Sequence, residues 1–211
     1  VATEHWSKVV KMGLSPREEQ ILKSLFMTAS EIIAVSEELA GALKEYNRRM
    51  GKIYKRDIKV IYNLLNTVYH YVPKRDNNYF SFASIGRLEP IKGNEIVIKA
   101  FIELKKQIQN IRLYIIGDGS ERKNLELLAK EAGIHEDINF TGFLSSENIM
   151  NLFKDIDVFI SGSMLETFGV PVIESWMMGR PVIIADNHPL VGFVNKSNGA
   201  LFESNHEGSV E

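Results

Sequence analysis

The sequence predicts an α/β fold, a Rossmann-like doubly wound parallel sheet, from three observations. Short β-branched and aromatic runs recur from Tyr79 onward, amphipathic segments of helical spacing stand between them, and glycine-bearing loops follow several of the runs. Strands alternating with helices of this length imply a parallel sheet covered on both faces.

The elements follow in order. Residues 32–35 read as a strand, and Ser36 can cap a helix over 37–49. Residues 80–85 are the next strand, 94–107 an amphipathic helix and 111–116 a strand. A helix is expected over 120–132 with Ser120 as its cap, a strand over 138–141 and a helix over 146–155. Val158, Phe159 and Ile160 form a short apolar strand. Pro171 can open a helix that stops at Gly179, because the missing proline N–H would be unpaired at that position anyway. Strands at 182–185 and 200–202 complete the pattern. Ligands of such sheets bind beyond the carboxyl ends of the strands, so loops 86–93, 117–119 and 166–170 are expected to meet there.

Composition sets limits. With 211 residues, 45% of them hydrophobic, the chain can bury a substantial core in one or two domains. It has no cysteine, which excludes disulfides and thiolate chemistry and fits a cytoplasmic setting. No apolar run approaches the roughly 20 residues of a membrane-spanning helix. Charge is divided unevenly. Residues 1–76 hold 13 Lys+Arg against 9 Asp+Glu, and residues 77–211 hold 12 against 18. The basic stretch 44–59 contains Lys44, Arg48, Arg49, Lys52, Lys55, Arg56 and Lys59, which suits peripheral contact with an anionic lipid surface or an acidic substrate, and equally a solvated helix and turn. No aromatic-interleaved basic motif supports nucleic-acid binding.

Two carboxylates, Glu166 and Glu174, stand eight positions apart around Phe168-Gly169. On a continuous helix they would be roughly 80° apart and roughly 12 Å apart along the axis; a loop between them can bring both to one cleft. Free amides of Phe168, Gly169 and Val170 at a helix entrance suit an anion, and carboxylates suit sugar hydroxyls. A helix-entrance carboxylate favoured by the macrodipole and a surface glutamate explain the same spacing. Arg87 and Lys92, on one turn between Gly86 and Gly93, suit a diphosphate, although such loop cations are commonly solubilising. Gly117-Asp118-Gly119 lacks the third glycine of a dinucleotide fingerprint, which argues against a nicotinamide cofactor.

Taken together, Gly86-Arg87-Leu88 with Lys92-Gly93, Ile116-Gly117-Asp118-Gly119, Thr141-Gly142-Phe143 and the run from Glu166 to Glu174 resemble, in this order, glycosyltransferase family 4. Those are retaining enzymes of the GT-B fold, built from two Rossmann-like domains. The resemblance covers residues 78–202 and is specific in its joint occurrence.

The resemblance implies roles for individual residues. Arg87 and Lys92 would bind the donor diphosphate and stabilise charge on the leaving group. Glu166 would hydrogen-bond the donor sugar, Thr167, Phe168, Gly169 and Val170 would hold sugar and phosphate oxygens, and Glu174 would take the ribose hydroxyls. Gly86 and Phe143 would lie against the donor, Phe143 near the base. Residues 1–5 are similar to the family's strand and loop that carry an active-site histidine, so His5 is a candidate for the catalytic set. No bound metal or other cofactor is expected. Retention is thought to proceed by front-side attack.

The implied substrates are a UDP- or GDP-sugar donor and a glycan or lipid-linked acceptor, in bacterial surface polysaccharide synthesis, in the cytoplasm at the inner face of the membrane. Residues 1–76 would be the end of the acceptor-side domain and its linker, and 77–211 the nucleotide-sugar-binding domain. The chain is expected to be a fragment of a two-domain enzyme. After Ala185 it departs from the family, with Asp-Asn-His-Pro-Leu-Val over 186–191 in place of a glycine-rich turn and glutamate. Two other functions fit the same fold, a non-catalytic nucleotide-sugar-binding module and a nucleotide-sugar epimerase.

Overall fold

The computed structural model of the chain describes residues 2–4, 7–63 and 68–204. The chain gathers into two compact units, Val1–Leu64 with Leu165–Gly169, and Leu65–Met164 with Val170–Glu211.

The first unit contains β1 (Ala2–Glu4), α1 (Ser7–Val10), α2 (Pro16–Thr28), β2 (Ile32–Ala34), α3 (Glu37–Arg49) and β3 (Lys59–Val60). Its strands pair in parallel in the order β1-β2-β3. Sequence periodicity did not reveal α2, yet its entrance carries a legible signal. Ser15 and Glu18 form a reciprocal capping box, with the Glu18 carboxylate accepting from the Ser15 amide at 2.8 Å, and Pro16 opens the helix. Hydrogen bonds from Lys8 and from Ser15 hold the Glu18 carboxyl down at about 2.

Helix α3 starts as expected, with the Leu39 amide donating to Ser36 Oγ at 3.2 Å. It ends in a Schellman motif: the Lys52 amide donates to Asn47 O at 2.7 Å and the Gly51 amide to Arg48 O at 3.2 Å. Leu39, Leu43 and Tyr46 of α3 join Leu22 and Phe26 of α2 and Ile32 of β2 among the buried side chains of this unit.

The second unit contains β4 (Phe80–Ile85), α4 (Asn94–Gln107), β5 (Ile111–Ile116), α5 (Arg122–Glu131), β6 (Ile138–Gly142), α6 (Ser146–Phe153), β7 (Val158–Ile160), α7 (Val170–Met177), β8 (Val182–Ala185) and β9 (Gly199–Phe202). All six strands are parallel, in the order β6-β5-β4-β7-β8-β9. Two apolar layers cover the sheet. Ile111, Leu113 and Ile115 of β5 pack into the layer with Ile98 and Phe101 of α4 and Leu125 of α5. Tyr114 and Ile116 of the same strand face the layer with Phe153 of α6 and Val172 of α7. This period-two division of one strand between two helical layers is the doubly wound arrangement that the sequence predicts.

Two expectations are corrected, and one packing relationship is added. Ser120 does not cap α5; Glu121 stands at the cap position without a side-chain bond to the helix amides, and Ser120 Oγ instead donates to Glu89 at 3.2 Å. Val170 rather than Pro171 opens α7, so the proline is the second helical residue. Tyr69 and Val72 are buried in the second unit's core, so the stretch immediately before residue 77 packs with that unit.

Arg180 is a structural feature that the sequence did not announce. Its guanidinium is buried and donates to the carbonyls of Ile156, Met178, Gly179, Val72 and Phe153, at 2.6, 3.1, 3.3, 2.9 and 2.7 Å. Those carbonyls include the terminal ones of α6 and α7, which a fixed cation neutralises. Burial pulls its pKa below the ordinary guanidinium value, partly opposed by Tyr71 and Asp157.

Candidate active site

The strand order reverses between β4 and β7, and the loops that leave these two strands lie at the carboxyl edge of the second unit's sheet. That is the switch point at which open α/β sheets bind ligands. Glycines let three backbones meet there without side chains between them. A Cβ on Gly117 would stand 1.9 Å from Gly86 O, and one on Gly119 2.4 Å from Leu88 O. On the other flank, a Cβ on Gly162 would stand 2.3 Å from Gly93 O. Hydrogen bonds close the same seam: Gly86 N to Ile116 O at 3.0 Å, Leu88 N to Asp118 O at 2.9 Å and Met164 N to Ile91 O at 3.1 Å.

The β4 loop is therefore clamped between the β5 and β7 loops, and Arg87 and Lys92 are carried on it. Leu88, fully buried, pins the turn beside Arg87, which is exposed; Lys92 is half-buried. Gly93 has φ 60° and both ends the short turn Pro90–Lys92 and precedes α4. Ser84 Oγ donates to Asn94 Oδ1 at 3.1 Å, tying the end of β4 to the start of α4. At Gly86 a Cβ would meet nothing within 4 Å, so the loop leaves open space at that residue.

The β5 loop is held by Asp118 and Arg122, neither of which was singled out in the sequence. Asp118 accepts from the Gly119 amide at 2.8 Å and from Arg122 Nη1 at 3.2 Å, while Arg122 Nη2 donates to Phe140 O at 3.2 Å. Phe143 follows β6 at 76% exposure, an aromatic face offered to solvent beside Gly142 at φ 71°.

Glu174 is the fifth residue of α7 and half-buried. Desolvation lifts its carboxyl to about 7. Nearby, Tyr69 is buried, and its hydroxyl pKa is raised by burial first and by the charge of Glu174. Tyr69 carries no motif, and only the fold brings it to this carboxylate.

Residues Leu165–Gly169 group with the first unit, where the Phe168 ring lies 5.9 Å from that of Tyr62 between centroids. Glu166 and Thr167 are half-buried and Phe168 is buried. Gly169 has φ 85°, a left-handed turn directly before α7. Among the described residues, the amides of Phe168, Gly169 and Val170 donate no hydrogen bond. His5 lies outside the described residues. Among those described, no group of three or more His, Cys, Asp and Glu is placed to hold a metal ion, and no helix is long and apolar enough to cross a membrane.

A cavity of about 270 Å³ opens beside the β4 loop, lined by Glu89, Glu95, Glu121 and Lys99 among others. Three carboxylates against one ammonium make it unsuited to a diphosphate. The divergent loop 186–191 is folded around His188, which is 3% exposed and accepts from the Leu190 amide at 3.1 Å through Nδ1. Asp186 closes it by accepting from the Ser204 amide at 3.0 Å.

Comparison with known proteins places this arrangement. The Alpha-monoglucosyldiacylglycerol synthase of Streptococcus pneumoniae is 31% identical over 125 residues, 59% of this chain and 28% of that protein. The Lipopolysaccharide core biosynthesis glycosyltransferase LpsD of Rhizobium meliloti is 27% identical over 163 residues, 75% of this chain and 44% of that protein. The crystal structure of Anabaena Alr3699/HepE in complex with UDP-glucose superposes with a TM-score of 0.76 at 22% identity, over 96% of this chain and 58% of that one. The chain thus spans less than half the length of these two curated relatives. The profile described as Glycosyl transferases group 1 matches residues 69–211. The chain belongs to that family, and its α/β fold is that of the GT-B glycosyltransferases.

Proposed function

We propose that the chain is the donor-binding half, with part of the acceptor half, of a retaining glycosyltransferase that moves a sugar from a UDP- or GDP-sugar to a glycan or lipid-linked acceptor. The observation that supports this best is the glycine-packed seam at the β4/β7 switch point. It presents Arg87 and Lys92 on a clamped loop, in the unit whose α7 carries the half-buried carboxylate of Glu174.

In this reading Arg87 and Lys92 hold the donor diphosphate and stabilise the negative charge that grows on it as the glycosidic bond to the sugar breaks. Clamping matters because preorganised cations need no rearrangement at the moment of reaction. Glu174, as carboxylate, accepts from the ribose hydroxyls, and Phe143 offers its face and backbone to the base. Glu166 accepts from the donor sugar, and the amides of Phe168, Gly169 and Val170 donate to sugar and phosphate oxygens, assisted by the positive end of α7. Thr167 and Gly86 complete the donor set, and His5 is assigned to the catalytic set, at the donor sugar or the acceptor. No metal takes part.

The relatives named above as a diacylglycerol glycolipid synthase and a lipopolysaccharide core transferase support a setting in bacterial surface glycolipid or polysaccharide synthesis, at the cytoplasmic face of the membrane. The test is calorimetric titration of the chain with UDP, GDP and ADP, repeated on Glu174→Ala. Selective binding of one nucleotide, lost in the variant, supports the reading. Absence of binding to both this chain and the full-length enzyme overturns it.

A further inference from the structure

None of the residues assigned to the donor lines the cavity beside the β4 loop, and its chemistry is of a different kind. At about 270 Å³ it falls just below the roughly 300 Å³ at which pockets for drug-sized ligands begin, so it suits one small ring rather than a chain of them. All of its walls belong to the second unit: the turn at Glu89 and Pro90, the start of α4, the start of α5 at Glu121, and Met164.

Backbone bonds fix these walls to one another. The Glu121 amide donates to Leu88 O at 2.9 Å, the Met164 amide to Ile91 O at 3.1 Å and the Gly93 amide to Pro90 O at 3.1 Å. A cavity framed in this way is formed before a ligand arrives, which keeps the ordering cost of binding small.

The polar groups in it are only partly used by the protein. Asn94 is 5% exposed, and its Oδ1 accepts from Ser84. Its Nδ2 makes no hydrogen bond among the described residues and is not sealed from solvent, so it is reached through the cavity that Asn94 lines. An unused donor on a side chain buried to this degree points to a ligand atom. Glu89 and Glu121 are half-buried, and neither forms an ion pair among the described residues. Glu89 Oε2 accepts from Ser120 at 3.2 Å and Glu121 Oε1 from Asn124 at 3.5 Å, which leaves one oxygen of each carboxylate. Lys99 pairs with Glu95 at 2.8 Å.

We propose that this cavity binds a neutral sugar residue other than the one carried by the nucleotide donor. Glu89 Oε1 and Glu121 Oε2 accept from its hydroxyls, Asn94 Nδ2 donates to a hydroxyl or ring oxygen, and the C–H face of the ring packs on Ile96, Leu125 and Met164. Other ligands use only part of this set. A diphosphate would meet three carboxylates. A metal ion needs ligands that converge, and among the described residues no three acidic or histidine side chains do so. An ammonium group would leave the Asn94 donor unused and would face Lys99.

The test is saturation-transfer NMR of the chain with the methyl glycosides of glucose, galactose, mannose and N-acetylglucosamine, followed by titration of those that bind. Millimolar binding of at least one is expected. Glu89→Gln and Glu121→Gln should each weaken it about tenfold, the difference between a charge-assisted and a neutral hydrogen bond, with an unchanged urea midpoint. Asn94→Asp keeps the acceptor for Ser84 and removes the donor, and should also weaken binding about tenfold. Should that variant prove unstable, the two Gln variants decide. Binding should persist in excess UDP and in Glu174→Ala.

No binding of any of these glycosides to the folded chain, binding that neither Gln variant weakens, or the same loss in Glu103→Gln, an exposed α4 carboxylate outside the cavity, would overturn the proposal. So would binding of glucosamine that both Gln variants abolish while the neutral glycosides are ignored, which would assign the cavity to an ammonium group. Displacement of the glycoside by UDP would place the sugar in the donor site and overturn it likewise. Nucleotide titration is a separate readout, so the donor-site reading stands or falls independently.

Discussion

A Cβ on Gly93 would stand 1.9 Å from the carbonyl oxygen of Gly162, and Gly93 itself has φ 60°. Backbone meets backbone here with no room for a methyl group, and the conformation is one that L side chains rarely adopt. Through this contact the β7 loop presses on the loop that carries Arg87 and Lys92.

Gly93→Ala should accordingly destabilise the second unit by about 2–4 kcal/mol and disorder the cation loop, since neither partner backbone can yield cheaply. Gly86→Ala is the internal control, because its Cβ enters open space. It should leave the urea midpoint unchanged and reduce nucleotide affinity if the donor fills that space. Equal midpoints for Gly93→Ala and the unaltered chain would remove the clamp from the account.

Loss of a leaving-group cation should show in turnover. In the full-length enzyme, Arg87→Ala or Lys92→Ala is expected to lower kcat on the order of 100-fold, as for removal of one preorganised donor to transition-state charge. A rise in KM with kcat unchanged would instead assign these residues to ground-state binding.

Glu174 predicts a pH dependence with a definite sign. Burial favours its neutral form, raising the carboxyl from 4.5 to about 7, while ribose hydroxyls are best accepted by the carboxylate. Nucleotide affinity should fall as pH drops below about 7, approaching tenfold per unit, and the fall should vanish in Glu174→Gln. Stability runs the opposite way. A folded-state pKa above the unfolded value favours folding fully below about 4.5, and this contribution is lost as pH rises through about 7. Glu174→Gln should therefore stabilise the chain at pH 8 by about 1 kcal/mol, a figure reduced for the solvent that reaches a half-exposed carboxylate. Urea unfolding at pH 5 and pH 8 checks both signs.

Arg180→Met should cost about 3 kcal/mol or more, because four buried carbonyls and the part-buried one of Gly179 lose their donor at once and the helix ends of α6 and α7 lose their counter-charge. Arg180→Lys should recover only part of this, an ammonium having three donors and no planar fork. A midpoint unchanged by either substitution would show that water replaces the guanidinium.

Local chemistry made much of this protein legible in its residues. Alternation in β5, the Ser36 cap of α3 and the glycine-punctuated loops depend on neighbours a few positions away, so the strand-helix order and the placement of Arg87, Lys92 and Phe143 at strand ends could be read directly. The Ser15–Glu18 capping box belongs to the same class, a local signal for α2 that periodicity alone did not yield.

Other features arise only when distant segments meet. Gly93 against Gly162 and Gly117 against Gly86 are contacts between loops of different strands, and nothing near either glycine in sequence specifies its partner. Arg180 reads as a surface cation until the distant carbonyls of Val72, Phe153 and Ile156 join those of its neighbours Met178 and Gly179 around it, and Tyr69 reads as a linker residue until it packs near Glu174. Sequence by itself determined which residue types stand at the ends of which strands. Tertiary structure alone decided which backbones touch and which carboxylate loses its water, because burial and proximity are properties of the packed chain and not of any one segment of it.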